Sequence, residues 1–326
     1  MKVIGITMGD ASGISPEIIL KAFNSELLTK SPVVIFGCYA TFTKQNDFML
    51  ITDKPLVRIE RVADADFSSN NIHIIDVPLE DPESLVMGKV QAQAGAGAYH
   101  CIEKATQFAL RGEIVAIATA PLNKEALHQG GYHYAGHTEL LAELTNTQDF
   151  AMVLYTDRLR VIHATTHISL RNMLDSLNSK RQETVVRIAE DFLDRIGEKG
   201  APIAVAGINP HAGENGLFGT EELEIINPTV ARLKDNGKNV FGAIPPDTVF
   251  LQAFEGKYAM VVAQYHDQGH IPLKLMGFHD GVNITAGLPF IRTSADHGTA
   301  FDIAGENIAK CDSILESIKL AVKLAG

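Results

Sequence analysis

The chain has 326 residues, 46% of them apolar and 21% charged, which excludes a small disulfide scaffold or a largely disordered protein and predicts roughly two domains at about 150 residues each. Its 28 Lys and Arg against 39 Asp and Glu leave a net charge of -11, so non-specific binding to nucleic acid or an anionic membrane is disfavoured. A few converging Arg, Lys and His can still hold a small anion, whatever the global sign.

The elements alternate along the chain. A strand at 2–7 is followed by a Gly-rich turn and a helix at 16–23, then strands at 33–37 and 72–76, a long helix at 91–111, and strands at 114–119, 152–155 and 160–165. A helix at 180–196, a strand at 203–208, a helix at 221–236, a strand at 260–264 and a terminal helix at 312–325 complete the series. Such alternation predicts an α/β architecture, and the nearly all-apolar strands predict a mostly parallel sheet covered on both faces. No repeat or Pro/Ser-rich linker marks a boundary, so two domains are expected to be interwoven rather than strung in series. The first ten residues lack the pattern of a signal peptide. The longest apolar runs, such as 114–122, are too short to span a bilayer. Three scattered cysteines, Cys38, Cys101 and Cys311, form no C-x-x-C pair and suit a reducing cytoplasm.

Ten of the twelve histidines lie at or after position 128, many in short polar stretches directly after predicted strands, where α/β sheets bind ligands. His167, His211 and His266 are too far apart for a local zinc knot and would have to converge through tertiary structure. Three imidazoles with an open position suit a catalytic metal, although by spacing alone ordinary loop histidines are the better reading. Asp267 beside His266 could orient an imidazole or touch substrate, but pairing of the two does not follow if they lie on a strand. Gly269 and Pro272 argue against a helix there and against His266 and His270 as co-ligands. The turn after the first strand, Gly9-Asp10-Ala11-Ser12-Gly13, could cradle an anion or be only a tight strand-to-helix connection. Gly95-Ala96-Gly97 has no strand before it, fails the Rossmann context, and reads as a small-residue face for close helix packing. Near the C-terminus Lys274, Asn283, Arg292 and the stretch from Ser294 through Asp296 to Thr299 read as loops offering cationic and amide donors. Lys274 and Arg292 could there hold phosphate or carboxylate, or be surface cations.

The motifs TMGDASGISPEI, ATAPLNKEAL, GHTELLA, GINPHAGENGLFGTEE, YHDQGHIPLK and GVNITAGLPFIRTSADHGTAFDIAG resemble the 4-hydroxythreonine-4-phosphate dehydrogenase (PdxA) family, from residue 4 to about residue 305. The resemblance implies a homodimer of subunits with two α/β/α domains, similar to isocitrate and isopropylmalate dehydrogenases, with the active site in the cleft between domains near the dimer interface. It assigns 1–128 with 269–326 to a discontinuous first domain, and 129–268 to a second that carries most of the metal site. NAD and one divalent metal are implied, the imidazoles favouring zinc, manganese, cobalt or nickel over magnesium; no motif marks the NAD contacts. Carried over by motif, His167, His211 and His266 become metal ligands, one of them supplied across the dimer. His137, Thr138, Asp247, Asp267, Lys274, Asn283 and Arg292 become the substrate-contacting set, with Asp247, Asp267 and Lys274 as candidates for the base.

Within that family the usual YHDQGLP has a Leu where this chain has His270, and the TMGD and TAPLNKEAL stretches look like the paralogues that oxidise 4-phospho-D-threonate or 4-phospho-D-erythronate. Ala11, Ser12 and Ser15 depart from the usual GDPAGIGPE, and Ser15 removes a glycine where backbone could approach ligand. The expected reaction is oxidation at C3 with NAD, followed by decarboxylation to dihydroxyacetone phosphate. The alternatives are the 4-phosphohydroxy-L-threonine dehydrogenase of pyridoxal phosphate biosynthesis and, more remotely, a mononuclear zinc hydrolase or a non-catalytic binding protein.

Overall fold

In the computed structural model the described residues are 1–326 apart from Lys30, 278–280 and Asp296; of the expected site stretches, Asp296 therefore lies outside the described residues. The strands are β1 (Ile4–Thr7), β2 (Val33–Gly37), β3 (Leu56–Ile59), β4 (Ile72–Asp76), β5 (Ala116–Thr119), β6 (Ala151–Tyr155), β7 (Arg160–His163), β8 (Ile203–Ala206), β9 (Val240–Ile244), β10 (Met260–Ala263), β11 (Val282–Ala286) and β12 (Ile291–Ser294). The chain divides into two compact units, Met1–Gln148 with Leu288–Ala325, and Asp149–Gly287. The first unit is discontinuous, and its divisions fall after Gln148 and Gly287 rather than at 128 and 268. The helix His137–Leu144 buries Leu140 and Leu141 in the first unit's core. Residues after 268 stay in the second unit because β11 pairs with β6.

The first unit holds the order β3-β4-β2-β1-β5-β12, every pair parallel. Side-chain alternation sorts its apolar residues into two layers. Ile4, Ile6, Val33, Ile35, Ala116 and Ala118 face one core, while Val34, Phe36, Ile75 and Ile117 face the other. This is the parallel sheet covered on both faces that the sequence predicts. The helix Ala92–Leu110 lies close against Lys124–Gln129: a Cβ on Gly95 would sit 1.9 Å from the Ala126 carbonyl oxygen, and one on Gly97 2.1 Å from Leu79 Cδ2. The small-residue face is thus a packing device.

The second unit holds β11-β6-β7-β10-β8-β9 and is mixed, with β11-β6 and β6-β7 antiparallel and the rest parallel. The expected single helix at 221–236 opens with a π-helical turn, Glu222–Ile226, before the α-helix Asn227–Asp235. Residues His266–Gly277 form a helix despite Gly269 and Pro272, contrary to expectation. Gly269 is required there by crowding, since a Cβ would meet His163 Nε2 at 2.4 Å and Val161 Cγ1 at 2.7 Å. Asn283 and Arg292 lie on β11 and β12 and Lys274 on that helix, so the C-terminal cations and amide are not loop residues. Among the described residues no helix is long and apolar enough to cross a membrane.

Candidate functional site

The first unit presents a candidate anion-binding group where β12 runs beside β5. Arg292 is buried at 3% exposure, which excludes the surface-cation reading, and its Nη2 donates to Thr119 Oγ1 at 2.8 Å. Burial pushes its guanidinium down to about 9, opposed by the Glu139 carboxylate. His137 begins the helix His137–Leu144, with Thr138 next to it. Burial, then the nearby Arg292 charge, hold its imidazole well below the ordinary range against a hydrogen bond to the Ala120 backbone. Its enclosed Nε2 has no hydrogen-bond partner among the described residues. A neutral imidazole, a buried guanidinium and a helix N-terminus together are suited to an anionic oxygen.

The turn after β1 is different. The Ser12 N–H donates to Asp10 Oδ1 at 2.8 Å, Gly13 N–H to the Asp10 carbonyl and Ile14 N–H to the Thr299 carbonyl. The amides of Asp10, Ser12, Gly13 and Ile14 are thus taken by protein acceptors, which favours the reading as a strand-to-helix connection. Ser15, where the family's glycine was missed, is buried and donates to the Pro121 carbonyl at 2.8 Å. Asp10 is fully buried, and desolvation raises its carboxyl to about 6 against hydrogen bonds from Ser12 and Gly13.

In the second unit β7 and β10 are parallel neighbours, which brings the segments after them together. The rings of His167 and His266 lie 5.6 Å apart between centroids, a separation at which two imidazoles can share one ion. His266 Nδ1 bonds Asp267 Oδ1 at 2.6 Å, a pairing permitted by the helix and not expected for a strand. That bond fixes the proton on Nδ1 and leaves Nε2 as a lone-pair donor, the usual arrangement of a ligating histidine. His270 stacks on His266 with centroids 3.6 Å apart and planes at 12°. Parallel stacked rings do not aim their lone pairs at one point, so the two are not co-ligands, although they share a helix. Behind them His163 is fully buried on β7, its Nδ1 against the Met152 carbonyl at 3.2 Å. Desolvation first, then neighbouring imidazoles, push His163 down to about 3; desolvation takes His270 to about 4. The partly buried Asn283 bonds Met152 Sδ through Nδ2 at 3.3 Å. Lys274 and Asp247 are exposed, the latter in the turn between β9 and the helix Val249–Phe254.

His211 lies in a left-handed turn after β8. His211, Ala212, Gly213, Glu214 and Asn215 all have φ between 42° and 83°, where each strained non-Gly residue costs on the order of 1 kcal/mol or more. Such a turn persists only if its surroundings over-determine it. The turn carries the His211 ring to Phe218, at 6.2 Å between centroids. Below it, the fully buried Glu222 accepts the backbone N–H groups of Ile208 at 2.6 Å and Asn209 at 2.8 Å through Oε1, and Asn209 Nδ2 at 2.8 Å through Oε2. Burial acts to raise the Glu222 carboxyl, but these hydrogen bonds overcome it and the net shift is downward.

Two of the three expected ligands are therefore brought together, and His211 is not. Among the described residues no group of three or more His, Cys, Asp or Glu could hold an ion. The donors that do meet, with the carboxylate behind His266, fit a borderline divalent ion, and the third donor would have to arrive from another chain or by movement of the turn. Sequence reasoning missed Glu222 and His163. A Glu inside GENGLFGTEE carries no local sign of burial, and a histidine within an apolar strand reads as core.

A profile of the family described as "Pyridoxal phosphate biosynthetic protein PdxA" matches residues 29–321. A D-threonate 4-phosphate dehydrogenase of Salmonella typhimurium is 60% identical over 99% of both chains, and one of Pectobacterium atrosepticum is 60% identical with the same coverage. The crystal structure of a 4-hydroxythreonine-4-phosphate dehydrogenase from Klebsiella pneumoniae superposes with a TM-score of 0.94 at 58% identity, covering 100% of both chains. The chain is a dehydrogenase and belongs to the PdxA family.

Proposed function

We propose that the protein oxidises 4-phospho-D-threonate or 4-phospho-D-erythronate at C3 with NAD and a divalent metal, and releases carbon dioxide and dihydroxyacetone phosphate. The observation that carries this reading is the pair His167 and His266, with Asp267 locking the His266 tautomer. Two relatives bearing the D-threonate 4-phosphate dehydrogenase name at 60% identity support the substrate class.

His167, His211 and His266 would hold the ion. When bound, the ion would supply Lewis acidity at the substrate oxygens and NAD would supply the hydride acceptor. Arg292, His137 and Thr138 hold an anionic end of the substrate, the guanidinium regaining in the bound anion what burial removed. Asn283 and Lys274 contribute further donors. Asp267 orients His266, which leaves Asp247 and Lys274 as the candidates for taking the hydroxyl proton. The C3 hydrogen leaves as hydride and the hydroxyl proton to the base; as carbon dioxide departs the C1–C2 electron pair stays on C2, which then takes up a proton, returned from the base, to give dihydroxyacetone phosphate.

Exposed apolar side chains beside each ligand position support a homodimer. They are Ile168 and Leu170, Leu217 and Phe218, and Leu275. A second copy covering them would both bury them and supply the missing donor. A cytoplasmic location is in keeping with Cys38, Cys101 and Cys311, all unbridged.

The test is NADH formation with zinc or manganese, comparing 4-phospho-D-threonate, 4-phospho-D-erythronate and 4-phosphohydroxy-L-threonine at equal concentration. Preference for either aldonate phosphate is expected. Preference for the amino acid would move the enzyme to pyridoxal phosphate synthesis, and no turnover of any of them would overturn the reading.

A further inference from the structure

We infer that Glu222 is a positioning residue for His211, holding the left-handed turn in the conformation from which that imidazole can reach the metal site of a second copy. The inference rests on the ligand role proposed above for His211.

The turn is a short 3-10 segment, Pro210–Gly216, whose own hydrogen bonds do not remove the cost of left-handed backbone at residues with a Cβ. Four of its five left-handed residues, His211, Ala212, Glu214 and Asn215, are not glycine, so the conformation must be imposed from outside. The imposition comes at its stem. A single carboxylate collects two successive backbone N–H groups, those of Ile208 and Asn209, and closes on the Asn209 side chain. This fixes the direction in which the chain leaves β8, three residues before His211. The carboxylate also meets the middle of the turn. A Cβ on Gly213 would lie 2.9 Å from Glu222 Oε2 and 3.0 Å from the Gly219 carbonyl oxygen, so the turn is seated on Glu222 and only glycine fits the contact. Glu222 is the first residue of the π-helical turn Glu222–Ile226, a distortion that recurs where a side chain must be re-aimed for function. A carboxylate accepting from three donors cannot be replaced by an amide without placing one N–H group against another.

The experiment titrates the full-length apo protein with cobalt or zinc by calorimetry, with thermal unfolding of each protein followed separately. His211→Ala should lose affinity, and Glu222→Gln should lose about ten- to hundredfold although His211 is intact. The double variant should bind no more weakly than His211→Ala alone, because the two act as one unit. Gly213→Ala, which disturbs the same seat without changing a charge, should show the same loss and decides the matter if Glu222→Gln does not fold. If His211→Ala binds poorly while Glu222→Gln or Gly213→Ala binds as the wild type, the positioning role is overturned and the ligand reading stands. An additive loss in the double variant likewise overturns it. If His211→Ala binds as the wild type, the ligand role of His211 fails, and this inference with it.

Discussion

The two units solve different problems with related sheets. The first is six parallel strands between two apolar layers, and its candidate groups are few: the buried Arg292 on β12 and the partly buried His137 at a helix start. The second breaks the parallel pattern at β6 and β11 and concentrates histidines, a buried carboxylate, a left-handed turn and a π-helical turn. Packing there holds Arg292 at 3% exposure, with Thr119 as a hydrogen-bond partner and the Glu139 carboxylate acting on its charge. In the proposed reading a set of metal donors needs aimed lone pairs, with Asp267 bonded to His266 and Glu222 bonded to the stem of the His211 turn.

The sharpest way to break this comparison is to remove one group from each unit. His266→Ala should abolish metal uptake and NAD reduction together. Arg292→Met should leave metal uptake unchanged and weaken substrate on the order of a hundredfold, with no loss of thermal stability because an isosteric apolar group replaces a buried charge. Unchanged KM in Arg292→Met would remove the first unit's group from substrate binding.

The next largest effect is on pH. The Asp10 carboxyl has a folded pKa of about 6 against an ordinary 3.8, so the folded state keeps a proton that the unfolded chain releases. Stability should fall as pH rises through that window and stay flat above it, by about 3 kcal/mol at about 1.4 per unit. In the second unit His163 has a folded value of about 3 against 6.5, so the unfolded chain takes up the proton first. Its contribution is present above pH 6.5 and is lost as pH falls. Amide exchange resolved by segment should show the opposing slopes, with Asp10→Asn flattening the first and His163→Gln the second. Slopes of the same sign in the two units, or slopes that survive these substitutions, would refute this assignment.

Two smaller effects sharpen the picture. Gly95→Ala drives a methyl into the Ala126 carbonyl and should destabilise the first unit by about 2 kcal/mol, read as a lowered Tm with metal binding unaltered. His270→Leu removes the ring stacked on His266 and should weaken metal binding by a few-fold, about 1 kcal/mol, without altering Arg292-dependent substrate affinity. A hundredfold metal loss instead would mean that His270 does more than support its neighbour.

Much of this was legible in the sequence. All eight expected strands and all five expected helices are present, because each carries its own period of apolar residues. Those that escaped notice are instructive: β11 and β12 contain Asn283 and Arg292, and polar functional residues interrupt the apolar run that announces a strand. His266–Gly277 escaped because Gly269 and Pro272 are local helix breakers, whereas the glycine is demanded by His163 behind it. The candidate site was legible as a set of residues, through their motifs, and not as an arrangement.

The sequence by itself determined the α/β alternation, the packing role of Gly95 and Gly97, and which histidines, cations and amide to examine, since these depend on residue type, period and motif. Only the tertiary structure decided that Arg292 is buried, that the turn after β1 spends its amides on Asp10 and Thr299, that His167 meets His266 while His211 stands apart, and that Glu222 lies beneath the His211 turn. Burial and hydrogen-bond partnership are properties of what surrounds a residue, and the surroundings come from segments distant in the chain.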